Sequence, residues 1–528
     1  MSSALNPQNG IVTSPHAQAS QVGCKILEAG GTAVEAAVAI AATLAVVYPH
    51  MTGLGGDSFW LIRSPEGKLF GIDACGAAAQ NISLETYQRA GLKTIPFRGP
   101  LAAITVAGTV SGWQKVLAET ETHLPLSDLL EPAIALAENG VVITKSGANV
   151  AALKDAELRA NPTYSEIFRP HNRPLKEHDR LHQPALAQTL KRLVKQGLED
   201  FYTGDLAADI ISDLSAVGSP ITAEDLSTHS ALKTHPLEQD IFSAKVYNLP
   251  PPTQGLSSLL ILALFEKLNV QQGETYAHIH GLVEATKQAF KLARSIELGD
   301  PALMQRSAES VLADDALKAQ LAAEIAMQGA QPWPDPTQAG DTTWFGAMDR
   351  QGWVVSAIQS TYFEFGSGVV LPKTGLTWQN RGASFRLAAS GWNALQPGRK
   401  PFHTLNPALA VFPDGRTLAY GTMGGEGQPQ TQAAIFTRYA RFGMDLQTAV
   451  SAPRWLLGRT WGEQSTSLKL ESRFDPTLIA ALQAAGHKVE TVSDYSEIMG
   501  HAGALVSHLG SGFEGTSDPR SDGEAIGW

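Results

Sequence analysis

Asp341-Thr342-Thr343-Trp344-Phe345-Gly346-Ala347-Met348-Asp349, followed after Arg350-Gln351-Gly352 by Trp353-Val354-Val355-Ser356-Ala357-Ile358-Gln359-Ser360, is the stretch on which the fold turns. β-Branched and aromatic residues on either side of a polar, Gly-bearing turn predict two antiparallel strands. Ahead of the first strand, residues 328–341 are polar and contain Gly and Pro, so they read as a surface loop, where backbone cleavage concentrates. If the bond before Thr342 is cut, that residue gains a free amine beside its own hydroxyl, a nucleophile and a base in one place. On residue type alone, Thr342-Thr343 simply suits a strand, and Thr343 is the neighbouring alternative for the cut.

Outward from the hairpin, the pattern alternates. Gly30-Gly31 precede Thr32, which stands three residues before Glu35, a capping-box spacing that opens an Ala-rich apolar helix over 33–48. Ser58–Ile62 and Leu69–Asp73 around Pro65-Glu66-Gly67 read as a second hairpin. Residues 120–240 carry mainly helical patterning. Apolar helices are expected over 256–268 and, from the spacing of Ile279, Leu282, Val283, Phe290, Ala293 and Ile296, up to Gly299-Asp300-Pro301. Segments 342–360, 365–378 and 407–423 read as strand-rich, with a hairpin turn at Phe412–Arg416, and helices return near 430–442 and 475–486. Strands from both halves with helices outside predict an α+β fold, two antiparallel sheets stacked between helical layers. A two-domain α/β enzyme is the alternative that the pattern leaves open.

Composition narrows the classes. A chain of 528 residues with net charge −11 argues against a nucleic-acid or anionic-membrane partner. Cys24 and Cys75 are the only cysteines, too few for a disulfide framework or a CxxC site. The apolar run at 33–48 is too short to span a bilayer. Met1–Pro7 has neither a basic nor an apolar leader region, so a cytoplasmic location is the expectation.

Nine short strings fall in the order of a known family: Met51-Thr-Gly-Leu-Gly-Gly-Asp-Ser-Phe59, Pro251-Pro-Thr-Gln-Gly-Leu256, Glu284-Ala-Thr-Lys-Gln-Ala-Phe290, Leu298-Gly-Asp-Pro301, Asp341-Thr-Thr343, Phe365-Gly-Ser-Gly368, Gly424-Gly425, Ala452-Pro-Arg454 and Ser517-Asp-Pro-Arg520. The chain thereby resembles the γ-glutamyltranspeptidase family over nearly its whole length. The resemblance implies an N-terminal nucleophile hydrolase, a four-layer αββα sandwich made as a proenzyme. Carried onto this sequence, it puts the cut between Asp341 and Thr342, giving a large subunit of residues 1–341 and a small one of 342–528 that share one sandwich. It implies no metal and no organic cofactor.

The same resemblance assigns roles. Thr342 is the nucleophile, Ser360 stands where the family has a supporting threonine, and Gly424 and Gly425 supply oxyanion-stabilising amides. From sequence alone, that glycine pair could equally be a plain turn. The transpeptidases grip the γ-glutamyl α-carboxylate with an arginine in an Asp-x-Arg-Glu string; here the string is Asp73-Ala-Cys75-Gly76. Their serine pair becomes His403-Thr404, and the aspartate that receives the α-amino group becomes Ser384. Both ends of amino-acid recognition are thus missing. Arg381, His403, Thr404, Tyr362 and Ser384 are left to bind a smaller carboxylate, a pattern similar to the branch that hydrolyses oxamate to oxalate and ammonia. Two other readings stay open: a γ-glutamyltransferase or glutathione hydrolase with an unusual pocket, and an uncleaved, non-catalytic binding protein.

Other signals carry less. His178 and His182 have i,i+4 spacing but lack the glutamate and third ligand of a zinc hydrolase. Gly53-Leu-Gly-Gly56 follows a helix and precedes a strand, the reverse of a dinucleotide fingerprint.

Overall fold

The computed structural model describes residues 7–333, 341–458 and 465–528. Thirteen strands build its two main sheets: β1 (Gly10–Ser14), β2 (Asp57–Arg63), β3 (Leu69–Ala74), β4 (Leu232–Thr234), β5 (Leu237–Ile241), β6 (Ala244–Asn248), β7 (Asp341–Asp349), β8 (Val354–Tyr362), β9 (Ala408–Val411), β10 (Thr417–Thr422), β11 (Ala502–His508), β12 (Gly512–Ser517) and β13 (Glu524–Gly527). The first sheet runs β13-β1-β7-β8-β2-β3-β4 and the second β12-β11-β10-β9-β6-β5, with antiparallel neighbours throughout. The helices that matter for the site are α1 (Ala17–Glu28), α2 (Ala33–Val47), α3 (Thr109–Glu119), α4 (Gly255–Lys267), α5 (Tyr276–Ser295) and α6 (Gly427–Phe436).

Strand alternation separates three apolar zones between the layers. Between the sheets lie Ile11, Phe59, Leu61, Trp344, Met348 and Ile358 from the first, against Tyr247, Leu409, Ala419 and Leu505 from the second. The far face of the first sheet, including Phe345, Ala347, Val355 and Ala357, packs on α1, α2 and α3. The far face of the second packs on α4, α5 and α6. This is the αββα sandwich. Trp344 is the large inter-sheet anchor, and glycines clear its place: a Cβ on Gly421 would sit 2.2 Å from its ring, and one on Gly503 2.5 Å.

The expected hairpins form, and α2 carries the expected capping box at Thr32 and Glu35. Glu35 does more than cap. Its second carboxylate oxygen accepts the backbone N–H groups of His123 and Leu124, each at 2.7 Å, pinning a distant loop to the start of α2. The strand-rich reading fails at 365–378, which holds turns and the isolated bridges Val370–Thr377 and Gly55–Trp378. Left-handed backbone at Phe365, Gly366, Gly368 and Gly375 folds the segment back on itself, which a ladder cannot follow. Of the expected loop 328–341, residues 334–340 lie outside the described residues. Residues 328–333 have no regular structure, and Gln331 is held by α5, its N–H on Glu284 at 3.1 Å and its carbonyl on Lys287 at 2.6 Å.

Candidate active site

Alternation along β7 decides which threonine faces what. Thr342 has the parity of Trp344 and Met348 and points between the sheets; Thr343 has the parity of Phe345 and points toward the helices. The Thr343 hydroxyl donates to the Gln359 carbonyl at 2.9 Å and is thereby engaged in the sheet. The Thr342 hydroxyl, also buried, instead meets the side-chain amide of Gln428 at 3.4 Å. Across from it the β7–β8 register shifts: Gln359 opposes Thr343, Tyr362 opposes Asp341, and Ser360 and Thr361 share the place opposite Thr342. That bulge breaks the ladder beside the hydroxyl. Ser360 Oγ accepts the N–H of Tyr362 at 2.8 Å. Gly56 makes room for the bulge, since a Cβ there would lie 2.1 Å from the Ser360 carbonyl oxygen.

β10 ends in a loop that returns to Thr342. Gly424 and Gly425 have φ of 115° and 54°, which no β-carbon favours, and α6 begins two residues later. Neither glycine's N–H donates to a protein acceptor among the described residues, whereas both carbonyls are taken, by Gly427 N–H at 2.8 Å and Gln428 N–H at 3.2 Å. The amides are left at the N-terminal end of α6, where the helix field favours negative charge. Gln254 at the start of α4 donates to the Gly425 carbonyl at 2.8 Å and the Thr404 carbonyl at 2.7 Å, tying this loop to the next part of the site.

Arg381 opens a short 3-10 turn with Ser384 and is buried. Its guanidinium donates to Thr404 Oγ1 at 3.2 Å and to the Phe402 carbonyl at 2.6 Å, and lies 4.0 Å above the Tyr362 ring. Its Nε has no partner, and no carboxylate sits within ion-pair distance among the described residues. Burial works against this charge, yet a guanidinium stays protonated in proteins. Tyr362 itself holds φ at 82°, costly for a bulky residue and sustained by its stack and the bulge. The Ser384 carbonyl accepts from Asn393 at 2.7 Å, and Asn393 accepts the Phe402 N–H at 2.8 Å, so the turn and the 402–404 segment are braced together.

His403 is placed differently from its expected role as an anion donor. Its Nε2 faces Asp57 Oδ2 at 3.1 Å and its Nδ1 accepts the Leu405 N–H at 3.4 Å, so both ring nitrogens are engaged inside the protein. Burial, with Arg381 and Lys400 nearby, holds the imidazole well below its ordinary range and therefore neutral. Burial pushes Asp57 up to about 7, against the opposing pull of N–H groups from Gly76, Gln379 and Gly108 and of the Arg381 charge.

The γ-glutamyltranspeptidase family model matches residues 19–528. The chain belongs to the γ-glutamyltranspeptidase family. It is 50% identical to an oxamate amidohydrolase proenzyme of Klebsiella pneumoniae over 98% of both chains. It is 42% identical to a glutathione hydrolase-like YwrD proenzyme of Bacillus subtilis, again over 98% of both. Among solved structures, a cephalosporin acylase from Bacillus halodurans superposes with a TM-score of 0.91 at 30% identity, covering 100% of this chain and 97% of that one. As a transpeptidase-family member, the chain is a hydrolase acting on amide C–N bonds.

Within this transpeptidase-family sandwich, the quoted strings sort by what they touch. Arg454 pairs with Asp518 at 2.5 Å and Arg520 with Glu471 at 2.6 Å, a fully buried quartet that binds the C-terminal strings to each other. At the position of the family's carboxylate-gripping arginine, Cys75 is buried, and burial pushes its thiol well up, so it stays protonated. Asp57, Gln254 and Gln428 are site-building residues not singled out from sequence. Asp57 and Gln254 stand inside quoted strings, as polar residues beside glycines in apolar surroundings.

Two buried groups have metal-ligand proximity among the described residues, Asp57–Cys75–His403 and His280–Glu284–His487. In the first, Asp57 already accepts hydrogen bonds on both oxygens. In the second, the Lys287 ammonium lies 2.6 Å from Glu284, and His280 is bonded to His487 at 2.8 Å, so a cation is opposed. His178 and His182 lie outside any helix; His178 is highly exposed and His182 contacts the Glu138 carbonyl at 3.1 Å. No helix among the described residues is long and apolar enough to cross a membrane.

Proposed function

We propose that the chain is a self-processing amidohydrolase that cuts itself between Asp341 and Thr342 and then hydrolyses the amide of a small carboxylate, oxamate to oxalate and ammonia. The observation that carries this reading is one buried network joining two unlike chemistries. Thr342 meets Gln428, Gly425 is tied through Gln254 to Thr404, and Thr404 holds Arg381, a buried cation with an unfilled Nε. A guanidinium so buried, with no carboxylate in ion-pair contact among the described residues, calls for an anion to complete it. The 50% identical oxamate amidohydrolase supports the same choice.

The chemistry follows from the groups. In the precursor the Thr342 hydroxyl attacks the Asp341 carbonyl, turning the amide into an ester that water opens, which frees residues 1–341 from 342–528. The new α-amine, with an ordinary pKa of about 7.7–8.0, takes the Thr342 hydroxyl proton at neutral pH. Oγ then bonds to the substrate amide carbon, and the oxyanion is received by the Gly424 and Gly425 N–H groups. The C–N bond breaks as the amine returns its proton to leaving ammonia, and water cleaves the Thr342 ester. Ser360 backs the nucleophile, while Tyr362, Thr404 and Ser384 shape the carboxylate end.

The test is ammonia release from oxamate compared with release from γ-glutamyl amides, together with intact mass. Turnover of oxamate by a two-fragment protein, abolished in Thr342→Ala, is expected. Turnover of γ-glutamyl amides alone would transfer the chain to the glutathione hydrolases, and an uncut, inert wild type would make it a binding protein.

A further inference from the structure

Asp57 has the densest set of contacts of any ionisable group around Arg381. Its Oδ1 accepts Gly76 N–H at 3.0 Å, Gly108 N–H at 3.2 Å and Gln379 Nε2 at 3.0 Å, and its Oδ2 faces His403 Nε2 at 3.1 Å. These partners come from segments far apart in the chain. They approach through glycine: a Cβ on Gly108 would lie 3.2 Å from Asp57 Oδ1 and 1.9 Å from the Ala74 carbonyl oxygen. His403 follows directly after Phe402 and precedes Thr404, the two residues that hold the Arg381 guanidinium. Fixing His403 therefore fixes both Arg381 acceptors. Because Nδ1 accepts the Leu405 N–H, the neutral ring carries its proton on Nε2 and donates it to Asp57.

Resting on the reading of Arg381 as the carboxylate site, we propose that Asp57 is its positioning and charge-setting residue: it locks His403, and its own ionisation decides whether Arg381 offers a net positive charge to the substrate. No ion pair links Asp57 to Arg381, so the two act on each other through their fields rather than by contact. With Asp57 ionised, the aspartate and the guanidinium offset each other and an incoming carboxylate is attracted weakly. With Asp57 protonated, Arg381 is uncompensated and binds the anion. Every charged or titratable neighbour that feels this group is close by: His403, Arg381, Cys75, Lys400, which is paired to Asp73 at 2.8 Å, and the Tyr202 phenol. Cys75 and Tyr202 stay neutral across the working range because burial pushes both up, and Lys400 stays charged on Asp73. Asp57 is thus the group left to change charge near neutrality.

The sign is definite. Anion binding favours the protonated form, so affinity is full below the folded-state titration and falls as pH rises through it. The Thr342 α-amine acts in the opposite sense, since its deprotonated form is the active base.

The experiment is KM and kcat for oxamate against pH in the self-cleaved enzyme. In wild type, KM climbs as pH rises through about 7, by up to about tenfold per unit. Asp57→Asn, checked for self-cleavage and a cooperative melt, is expected to flatten the KM profile while kcat keeps its rising limb. His403→Leu, which removes one hydrogen bond to the carboxylate, is expected to move the KM rise to higher pH. An unshifted wild-type KM rise in either variant overturns the proposal. Arg381→Met is the separate arm: if it keeps wild-type KM, the carboxylate-site reading itself falls, whereas lost affinity there with an unshifted rise in Asp57→Asn removes only the role of Asp57.

Discussion

Gln254 is the residue through which the two chemistries of the site meet. It donates to two carbonyls, one on the Gly425 loop and one on Thr404. Gln254→Ala leaves both buried acceptors without that donor, a loss of about 1–3 kcal/mol each when fully expressed. The expected outcome is a fall in kcat/KM for oxamate by roughly one to two orders of magnitude, read by steady-state kinetics on protein that still cuts itself. The placing of Thr342 on a strand facing between the sheets was legible from its alternation with Trp344 and Met348, while its proposed part as nucleophile rests on the family strings around it. Arg381 entered through the family resemblance, and its sequence neighbours did not announce that its guanidinium would be buried against Thr404 and Tyr362. The role of His403 was not legible: sequence gives a donor, and only the fold reveals that Asp57 and Leu405 occupy both of its nitrogens. A buried partner 346 residues away leaves no local trace.

At the scale of elements, the hairpin β7–β8 and the helix α2 followed from period and capping, because both are local. The bulge opposite Thr342 did not, since a one-residue register shift depends on what packs beneath it, here Gly56. Segment 365–378 was misread for a related reason: Val, Leu, Thr and Trp there serve burial in a turn-rich loop rather than a ladder. The inter-sheet contact of Trp344 gives an element-level prediction. Gly421→Ala drives a methyl to within 2.2 Å of the ring, and overpacking of this kind costs about 1–3 kcal/mol. A lowered melting temperature with processing still complete is expected, and an unchanged melt would mean that the sheets separate without cost.

For the whole molecule, the proposed cut at Asp341–Thr342 does not divide the structure into two lobes. β8 and all of β7 after Asp341, from the C-terminal side of that cut, sit between β1 and β2 from the N-terminal side, and in the second sheet β9 pairs with β6 across the same division. The fragments 1–341 and 342–528 are therefore expected to co-migrate by size-exclusion chromatography in native buffer and to part only in denaturant. Separation in native buffer would contradict the shared sandwich.

That interleaving has a kinetic meaning. Before the cut, the central strands find their places as parts of one chain, and closing even a long loop costs only a modest, slowly growing entropy. Afterwards the same pairing is an encounter between two molecules, each exposing unpaired strand edges that invite aggregation. The unprocessed chain would then be the form that knows how to fold, and the mature enzyme would survive by the height of its unfolding barrier rather than by its ability to return. Recovery of the native fold after denaturation, read by circular dichroism and size-exclusion chromatography, should depend on protein concentration for the processed enzyme and not for the uncut Thr342→Ala chain.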